Sequence, residues 1–428
     1  MSGATERFAE IAARRAAGGK GGIASICSAH PLVIEATLRH GAKHGSDILI
    51  EATCNQVNHE GGYTGMTPAA FRTFVEAHAA GTGFPLDRLI LGGDHLGPNP
   101  WKHLAAAEAM KQAAAMIDAY AEAGFTKLHL DTSMACADDP APLSDLTIGA
   151  RAAELAKVAE AAVARTGGQK PAYIIGTEVP VPGGALEALD HMHVTEPGDA
   201  LRTVEVHRQA FARLDLDEAF ARAVGVVVQP GVEFGNADII AYAPEKATKL
   251  VAVLGQFPQF VFEAHSTDYQ PAKALAALVR DGFAILKVGP WLTFALREAL
   301  YGLSLIADQL VPDPSRESLP AAMERVMLGS PGNWQKYYPG TSHEQRLQRH
   351  FSFSDRIRYY WPSPDARYAT EALLAALGDA EIPRPLISQY LGHLDVDVGA
   401  GRVRSTAHGL LIGSVTRVLD IYRGATNP

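Results

Sequence analysis

Acidic, imidazole and ammonium side chains recur in this sequence near the ends of short apolar runs. Asp94 and His95 are adjacent, and comparable positions elsewhere hold Glu51, His129, Asp131, Ser133, Glu178, Gln229, Glu233, Glu263, His265, Asp268 and Lys287. Carboxylates and imidazoles bind divalent metals and transfer protons. Because charged groups are rarely buried unless they are paired or metal-bound, a cluster of these side chains would require a cation or a cationic substrate.

The predicted metal ligands are His95, His265 and Glu178. Two imidazoles and one carboxylate leave coordination positions open for a substrate that chelates through adjacent oxygens. We expect Zn²⁺, with Mn²⁺ or Mg²⁺ as alternatives. Any one of these residues could instead be a polar group that caps a strand or helix, but their shared position favours a metal site.

Asp94 is the predicted proton shuttle, with Asp131 and Glu263 as alternatives for the same role. Neighbouring residues of a strand point to opposite faces, but the chain turns at the strand end, so that Asp94 and His95 can reach the same site. In the alternative interpretation, Asp94 caps a helix or orients a histidine ligand.

Other polar segments are candidates for binding the substrate. The loop 55–63 begins with Asn55 and Gln56, and Lys287 and Gly289 precede a predicted helix whose N-terminus could hold phosphate. The segment 346–358 carries four arginines between aromatic residues. It predicts a surface that packs on the rest of the protein, or a phosphate clamp, in preference to a nucleic-acid surface.

Eight apolar runs predict the strands that position these groups: 22–28, 47–53, 89–95, 127–133, 172–179, 225–231, 260–267 and 284–291. Most intervals contain a stretch with helical spacing. Alternating strands and helices require a parallel sheet, and eight repeats without a solvated face predict an α/β fold, the closed (β/α)₈ TIM barrel. The alternative is a doubly wound open sheet, but no GxGxxG motif follows the first strand.

The pattern changes after the eighth run. A proline-containing linker at 311–315 precedes about a hundred residues of helical character. We therefore expect a barrel over 1–310 and a helical extension over 311–428 that packs on the barrel.

Composition limits the classes of function. The chain has 428 residues, 47% of them hydrophobic and 20% charged, with a net charge of -9. This is the profile of a globular protein, and the negative charge argues against a nucleic-acid partner. Residues 1–19 predict an amphipathic helix, and no apolar run is long enough to span a membrane, so we expect a cytoplasmic protein without membrane contact. Three dispersed cysteines fit a reducing compartment and argue against a thiolate zinc site.

Seven longer motifs resemble the Z-type subunit family of D-tagatose-1,6-bisphosphate aldolase over nearly the whole chain. They are EATCNQVNHEGGYTGMTP at 51–68, LGGDHLGPNPW at 91–101, KLHLDTSMAC at 127–136, TEVPVPGG at 177–184, FEAHSTDYQ at 262–270, LKVGPWLTFALREAL at 286–300 and HFSFSDRIRYYW at 350–361. Older names for this family include tagatose-6-phosphate kinase. Nothing here resembles a P-loop or a kinase catalytic loop, so we do not expect kinase activity.

The family is similar to the metal-dependent class II aldolases. This resemblance implies that Asp94 moves the proton of the C4 hydroxyl, that His95 binds zinc, and that His265 is a second zinc histidine on the seventh strand. Asp131 and Ser133 look like the Asp-x-Ser of the aldolases' fourth strand.

One position departs from the aldolase pattern. The remaining aldolase zinc histidine falls on the sixth strand, where this chain has Gln229 and no histidine. Either Glu178 or Gln229 is expected to complete the metal shell, or the site is altered.

The resemblance implies two functions. Some family members are non-catalytic partners that stabilise and activate a separate aldolase subunit, while relatives are 4-epimerases of tagatose or fructose derivatives. Retro-aldol cleavage between C3 and C4, followed by rotation of the aldehyde and re-formation of the bond, would invert C4 without a redox cofactor. We expect a metal-dependent ketose phosphate 4-epimerase that acts on a small-molecule ketose and forms a homo-oligomer, with the aldolase-activating subunit as the alternative.

Overall fold

A closed barrel of eight parallel strands forms the centre of the protein in a computed structural model that describes residues 4–177 and 193–427. The strands are β1 (Ile23–Cys27), β2 (Ile48–Thr53), β3 (Leu89–Leu96), β4 (Lys127–Leu130), β5 (Ala172–Ile175), β6 (Ala223–Val227), β7 (Val261–Ala264) and β8 (Phe283–Val288). Each strand pairs with the next, and β8 pairs with β1 to close the barrel. The predicted (β/α)₈ barrel is confirmed, and the open-sheet alternative is wrong.

Helices surround the barrel, one after each strand: Pro31–His44, Pro68–Thr82, Ala106–Glu122, Asp145–Thr166, Pro197–Ala212, Pro244–Val253, Ala272–Arg280 and Pro290–Leu310. Several begin with proline, whose fixed φ and missing N–H suit the first turn of a helix. A short helix, Asp217–Phe220, precedes β6, and an antiparallel pair, Glu233–Phe234 with Ile239–Ile240, follows it.

An N-terminal helix, Ala4–Ala16, closes the N-terminal end of the barrel. Ala4, Phe8 and Ala12 lie four residues apart and therefore form one stripe. This stripe is buried against interior residues of the strands, including Leu49 and Ile90. This end of the interior is apolar, which leaves the opposite end for polar groups.

The chain after the eighth barrel helix is helical: Leu319–Gly329, Ser342–Phe351, Pro364–Leu377, Arg384–Tyr390, Asp395–Gly399 and Ala407–Thr426. The last helix packs on the barrel wall, where it contacts the helices Pro31–His44, Ala272–Arg280 and Pro290–Leu310. None of the described helices combines the length and apolar composition needed to cross a membrane.

Candidate metal and active site

Charged side chains occupy the barrel interior above the apolar end. Lys127 on β4 contacts Glu51 on β2 and Glu263 on β7, with Nζ–O distances of 2.5 and 2.6 Å, and all three side chains are fully buried. Neither β2 nor β7 is adjacent to β4 in the sheet, so the Lys127 side chain must cross the interior. Successive side chains of a strand alternate, and Leu128 accordingly packs in the outer core between the strands and helices.

A second buried lysine links Glu51 to β3. Lys287 on β8 contacts Glu51 and also lies 3.0 Å from Oδ1 of Asp94. Burial lowers the pKa of Lys287 to about 8. The sequence indicated Lys287 as a group that binds an anionic substrate. In the structure it is paired with carboxylates of the protein.

The end of β3 turns so that two consecutive residues face the same site. His95 has a φ of 50°, in the left-handed region, and the register between β3 and β4 shifts between Gly93 and Leu96. Left-handed backbone is uncommon outside glycine and often marks functional sites. The turn brings Oδ2 of Asp94 to 3.7 Å from Nε2 of His95, as the sequence analysis expected for the strand end.

Three histidines form a triangle at this end of the barrel. The ring centroids of His95 and His265 are 4.8 Å apart, and His129 lies 5.2 and 5.3 Å from them. The two predicted histidine ligands therefore lie together, and β4 supplies a third imidazole. His129 and Lys127 received no role in the sequence analysis, although the alternation of Lys127, Leu128 and His129 on an apolar strand already indicates that both polar residues share one face.

Each histidine is paired with its own carboxylate. Nδ1 of His95 lies 2.8 Å from Oδ2 of Asp131, and Nε2 of His265 lies 3.0 Å from Oε1 of Glu263. The His129–Asp94 pair has an Nδ1–Oδ1 distance of 2.9 Å. Metal-binding histidines typically donate one ring N–H to a carboxylate, which orients the other nitrogen toward the metal.

The carboxylate pKa values reflect these pairs. Burial raises the pKa of Asp94, but the nearby His95 and the hydrogen bond to His129 outweigh this effect and lower the pKa below its usual range. Burial likewise opposes ionisation of Asp131 and Glu263, yet their partners lower the pKa of each to about 2. All three groups are therefore carboxylates at neutral pH.

The residues fit a divalent metal. Ligand atoms of Asp94, His129, Glu263 and His265 lie within 4.8 Å of one another, and the predicted ligand His95 is not part of this group. Nε2 of His129 is a buried atom that has no hydrogen-bond partner among residues 4–177 and 193–427, and it could bind an ion. Imidazole ligands suit Zn²⁺ better than Mg²⁺.

A cavity opens above the histidines at the C-terminal ends of the strands. Its lining includes Asn55, Gln56, Tyr63, Asp94, His95, His265, Asp268, Lys287, Gly289, Arg358 and Tyr359. Cys27 also lines the cavity, but burial raises the pKa of its thiol to about 12, so it offers no thiolate.

Several predicted site residues lie elsewhere or support others. Ser133 donates to Oδ1 of Asp131 at 2.6 Å, and neither residue lines the cavity. Glu263 is fully buried behind His265. Oε1 of Gln229 accepts the N–H groups of Gly231 and Val232, so this side chain holds its own loop. Glu178 lies outside the described residues.

The N-terminus of the helix Pro290–Leu310 already holds an anion. Oδ1 of Asp268 accepts the N–H of Gly289 at 3.0 Å and that of Trp291 at 2.8 Å. The sequence indicated this helix end as a phosphate site. In the structure, a carboxylate of the protein takes the position that a phosphate oxygen would need.

The fold and site together define a (β/α)₈ barrel with an aspartate and three histidines at the C-terminal ends of its strands, where barrel enzymes carry their catalytic groups. Residues 8–427 match the family described as D-tagatose-1,6-bisphosphate aldolase subunit GatZ/KbaZ-like. The chain therefore belongs to this family, as its motifs predicted.

Individual relatives carry different names. The chain is 53% identical over 416 residues to a D-tagatose 6-phosphate 4-epimerase of Agrobacterium fabrum, with 97% of each chain covered. It is 49% identical over 419 residues to the D-tagatose-1,6-bisphosphate aldolase subunit GatZ of Salmonella newport, covering 98% of this chain and 99% of that protein. A crystal structure described as a probable tagatose 6 phosphate kinase from Sinorhizobium meliloti has a TM-score of 0.88 at 56% identity, covering 94% of this chain and 100% of that one.

Proposed function

We propose that this chain is a divalent-metal-dependent ketose phosphate 4-epimerase that interconverts D-tagatose 6-phosphate and D-fructose 6-phosphate. The observation that carries the proposal is the triangle of three carboxylate-paired histidines beside Asp94; two of them, His95 and His265, line the cavity at the C-terminal ends of the strands. The epimerase name of a relative that is 53% identical over almost the whole chain supports the substrate.

Asp94 is the group that we assign to the C4 oxygen. Of Asp94, Asp131 and Glu263, only Asp94 lines the cavity, and its lowered pKa keeps it in the ionised form that a proton acceptor needs. When Asp94 takes the proton of the C4 hydroxyl, the C3–C4 bond breaks and yields an aldehyde and a three-carbon enediolate. Rotation of the aldehyde, re-formation of the bond and return of the proton give the C4 epimer with no net change in redox state.

The remaining groups hold the site in place. A divalent cation bound here would act as a Lewis acid on the ketone oxygen. Asp131 and Glu263 orient His95 and His265, and we assign them this positioning role in preference to proton transfer. Zn²⁺ is the proposed ion because His129 and His265 supply imidazole ligands, and Mn²⁺ is next because carboxylates belong to the same cluster.

The aldehyde must stay bound between the two half-reactions. Tyr63, from the loop after β2, and Tyr359, from the segment after the barrel, meet edge to face with ring centroids 4.9 Å apart, and both line the cavity. We propose that this pair limits release of the aldehyde, because retention is what separates an epimerase from an aldolase.

The test is ¹³C NMR of the purified chain with D-tagatose 6-phosphate in D₂O, with Zn²⁺ or Mn²⁺ added. We expect D-fructose 6-phosphate without deuterium at C4, because the retro-aldol route never breaks the C4–H bond. Asp94→Asn should keep the metal content and lower the rate at least ~100-fold. Asp118→Asn, a surface control whose carboxylate pairs with Arg165, should leave the rate unchanged. Deuterium at C4, or a fully active Asp94→Asn enzyme, would refute the mechanism.

The second candidate function is an aldolase-activating subunit, which the 49% identity to GatZ proteins favours. Its partner would be the catalytic subunit of a D-tagatose-1,6-bisphosphate aldolase. Absence of turnover with every metal, together with increased activity of a co-purified aldolase, would decide for this role.

A further inference from the structure

Arg358 lines the same cavity as Asp94, His95 and His265, although it belongs to the segment that follows the barrel helices. Within the described parts of the chain, no carboxylate oxygen lies within 4.0 Å of its guanidinium; Asp355, the nearest acidic residue along the chain, instead pairs with Arg297. A cation that lines a cavity without an acidic partner is suited to bind an anionic ligand there.

Protein contacts fix the guanidinium but use only part of its donor capacity. Nη1 donates to the carbonyl oxygens of Ser354 and Asp355, and Nη2 donates to the hydroxyl of Tyr359 at 2.9 Å. The structure gives no acceptor for Nε among residues 4–177 and 193–427. The guanidinium therefore retains the N–H of Nε and one N–H of Nη2, donors that can bind phosphate oxygens.

The backbone that carries Arg358 is anchored to the barrel. Asp355 accepts from Nε of Arg297 at 2.9 Å and from Oγ1 of Thr293 at 2.7 Å. Both donors lie on the helix Pro290–Leu310, and all three residues are buried. Because the turn is held at its start and Tyr359 packs against Tyr63, Arg358 is positioned before any ligand binds.

The lysine beside the cavity and the adjacent helix N-terminus are already engaged. Lys287 pairs with Glu51 and Asp94, and the N–H groups of Gly289 and Trp291 donate to Asp268. A phosphate at these positions would meet carboxylates of the protein. Arg358 is thus the cavity-lining cation whose guanidinium has no carboxylate partner among the described residues.

We propose that Arg358 binds the phosphate at the end of the ketose remote from C2 and C3, and so makes the enzyme select phosphorylated over free sugars. This assignment rests on the proposed epimerase function. It also makes the segment after the barrel part of the active site, because Arg358 comes from that segment while the reacting groups come from the strands.

The test compares D-tagatose 6-phosphate with D-tagatose as substrates of Arg358→Met. We expect KM for the phosphorylated sugar to rise roughly 10- to 100-fold, the loss expected for a charged hydrogen-bonding group, and the activity on D-tagatose to change much less. Inorganic phosphate should inhibit the wild type competitively and the variant much less. Arg358→Lys, which keeps the charge but loses the planar guanidinium, should lie between them.

Arg346→Met is the matched control, since Arg346 lies in the same segment but is exposed and does not line the cavity. It should behave as the wild type. Equal losses on both sugars, or an unchanged KM for D-tagatose 6-phosphate in a folded Arg358→Met protein, would overturn the assignment. If the wild type epimerises neither sugar, the function has failed. Arg358 is then judged by calorimetric binding of the two sugars, where a loss confined to the phosphorylated one supports it and equal binding refutes it.

Discussion

Lys127→Met tests the role of the buried lysine that separates two carboxylates. The substitution keeps an apolar chain of similar length but leaves Glu51 and Glu263 without the cation between them. Burial raises the pKa of Glu263, yet Lys127 and His265 lower it from 4.5 to about 2. This difference corresponds to roughly 3 kcal/mol of stabilisation.

The pH dependence of this contribution has opposite signs in the two proteins. In the wild type the folded-state pKa of Glu263 lies below the unfolded value, so the stabilisation is present above pH 4.5 and is lost as the pH falls toward 2. Without Lys127, burial raises the folded-state pKa above the unfolded value. The variant should then lose stability as the pH rises from about 5 to 8.

Urea unfolding of EDTA-treated protein, followed by circular dichroism at pH 5, 6.5 and 8, measures both effects. We expect Lys127→Met to be about 3–5 kcal/mol less stable at pH 8, the usual cost of breaking a buried ion pair, and closer to wild type at pH 5. Lys170→Met removes an exposed lysine that pairs with the exposed Glu218, and should cost less than ~1 kcal/mol. Adding Glu263→Gln to Lys127→Met should restore part of the loss. A Lys127→Met protein as stable as the wild type at pH 8, or a pH-independent loss, would refute the reasoning.

Two further changes test the site and its surroundings. His129→Ala removes the third imidazole and should weaken Zn²⁺ binding at least ~10-fold, measured in competition with a chromophoric chelator. The control His343→Ala changes an exposed histidine and should bind Zn²⁺ like the wild type. Equal affinities of the two variants would exclude His129 from the metal site. Burial raises the pKa of Glu233 to about 7, so its carboxyl destabilises the fold as the pH rises from about 4.5 to 7. Glu233→Gln should therefore gain up to ~3 kcal/mol at pH 8 and less than ~1 kcal/mol at pH 5 in urea unfolding; a gain that does not depend on pH would contradict this account.

The barrel could be predicted because its signals are local. Each strand appears as an apolar run, each helix as a periodic stretch, and the repetition of the two determines the topology. Asp94, His95 and His265 were predictable in the same way, because they stand where strands end and catalytic groups of barrels are found there.

Contacts between distant strands were not predictable, because they depend on how the closed barrel aligns its interior. Lys127 lies near the start of the β4 run, a position that carries no functional expectation, and only closure of the barrel places it between Glu51 and Glu263. The sequence indicated the helix end at Gly289 as a phosphate site. The anion there is Asp268, from 21 residues earlier, and helix signals do not reveal which carboxylate will reach a helix end.

The charges in the barrel favour an enzyme over a purely structural subunit. Four buried carboxylates, Glu51, Asp94, Asp131 and Glu263, face two buried lysines, which leaves two negative charges when the histidines are neutral. A divalent cation would neutralise that remainder. Because each buried charge carries a desolvation cost, apolar residues of similar volume would give an equally stable or more stable barrel. A subunit that only stabilised a partner would have no use for this arrangement, whereas a metal-dependent epimerase requires both the ion and the carboxylate beside it.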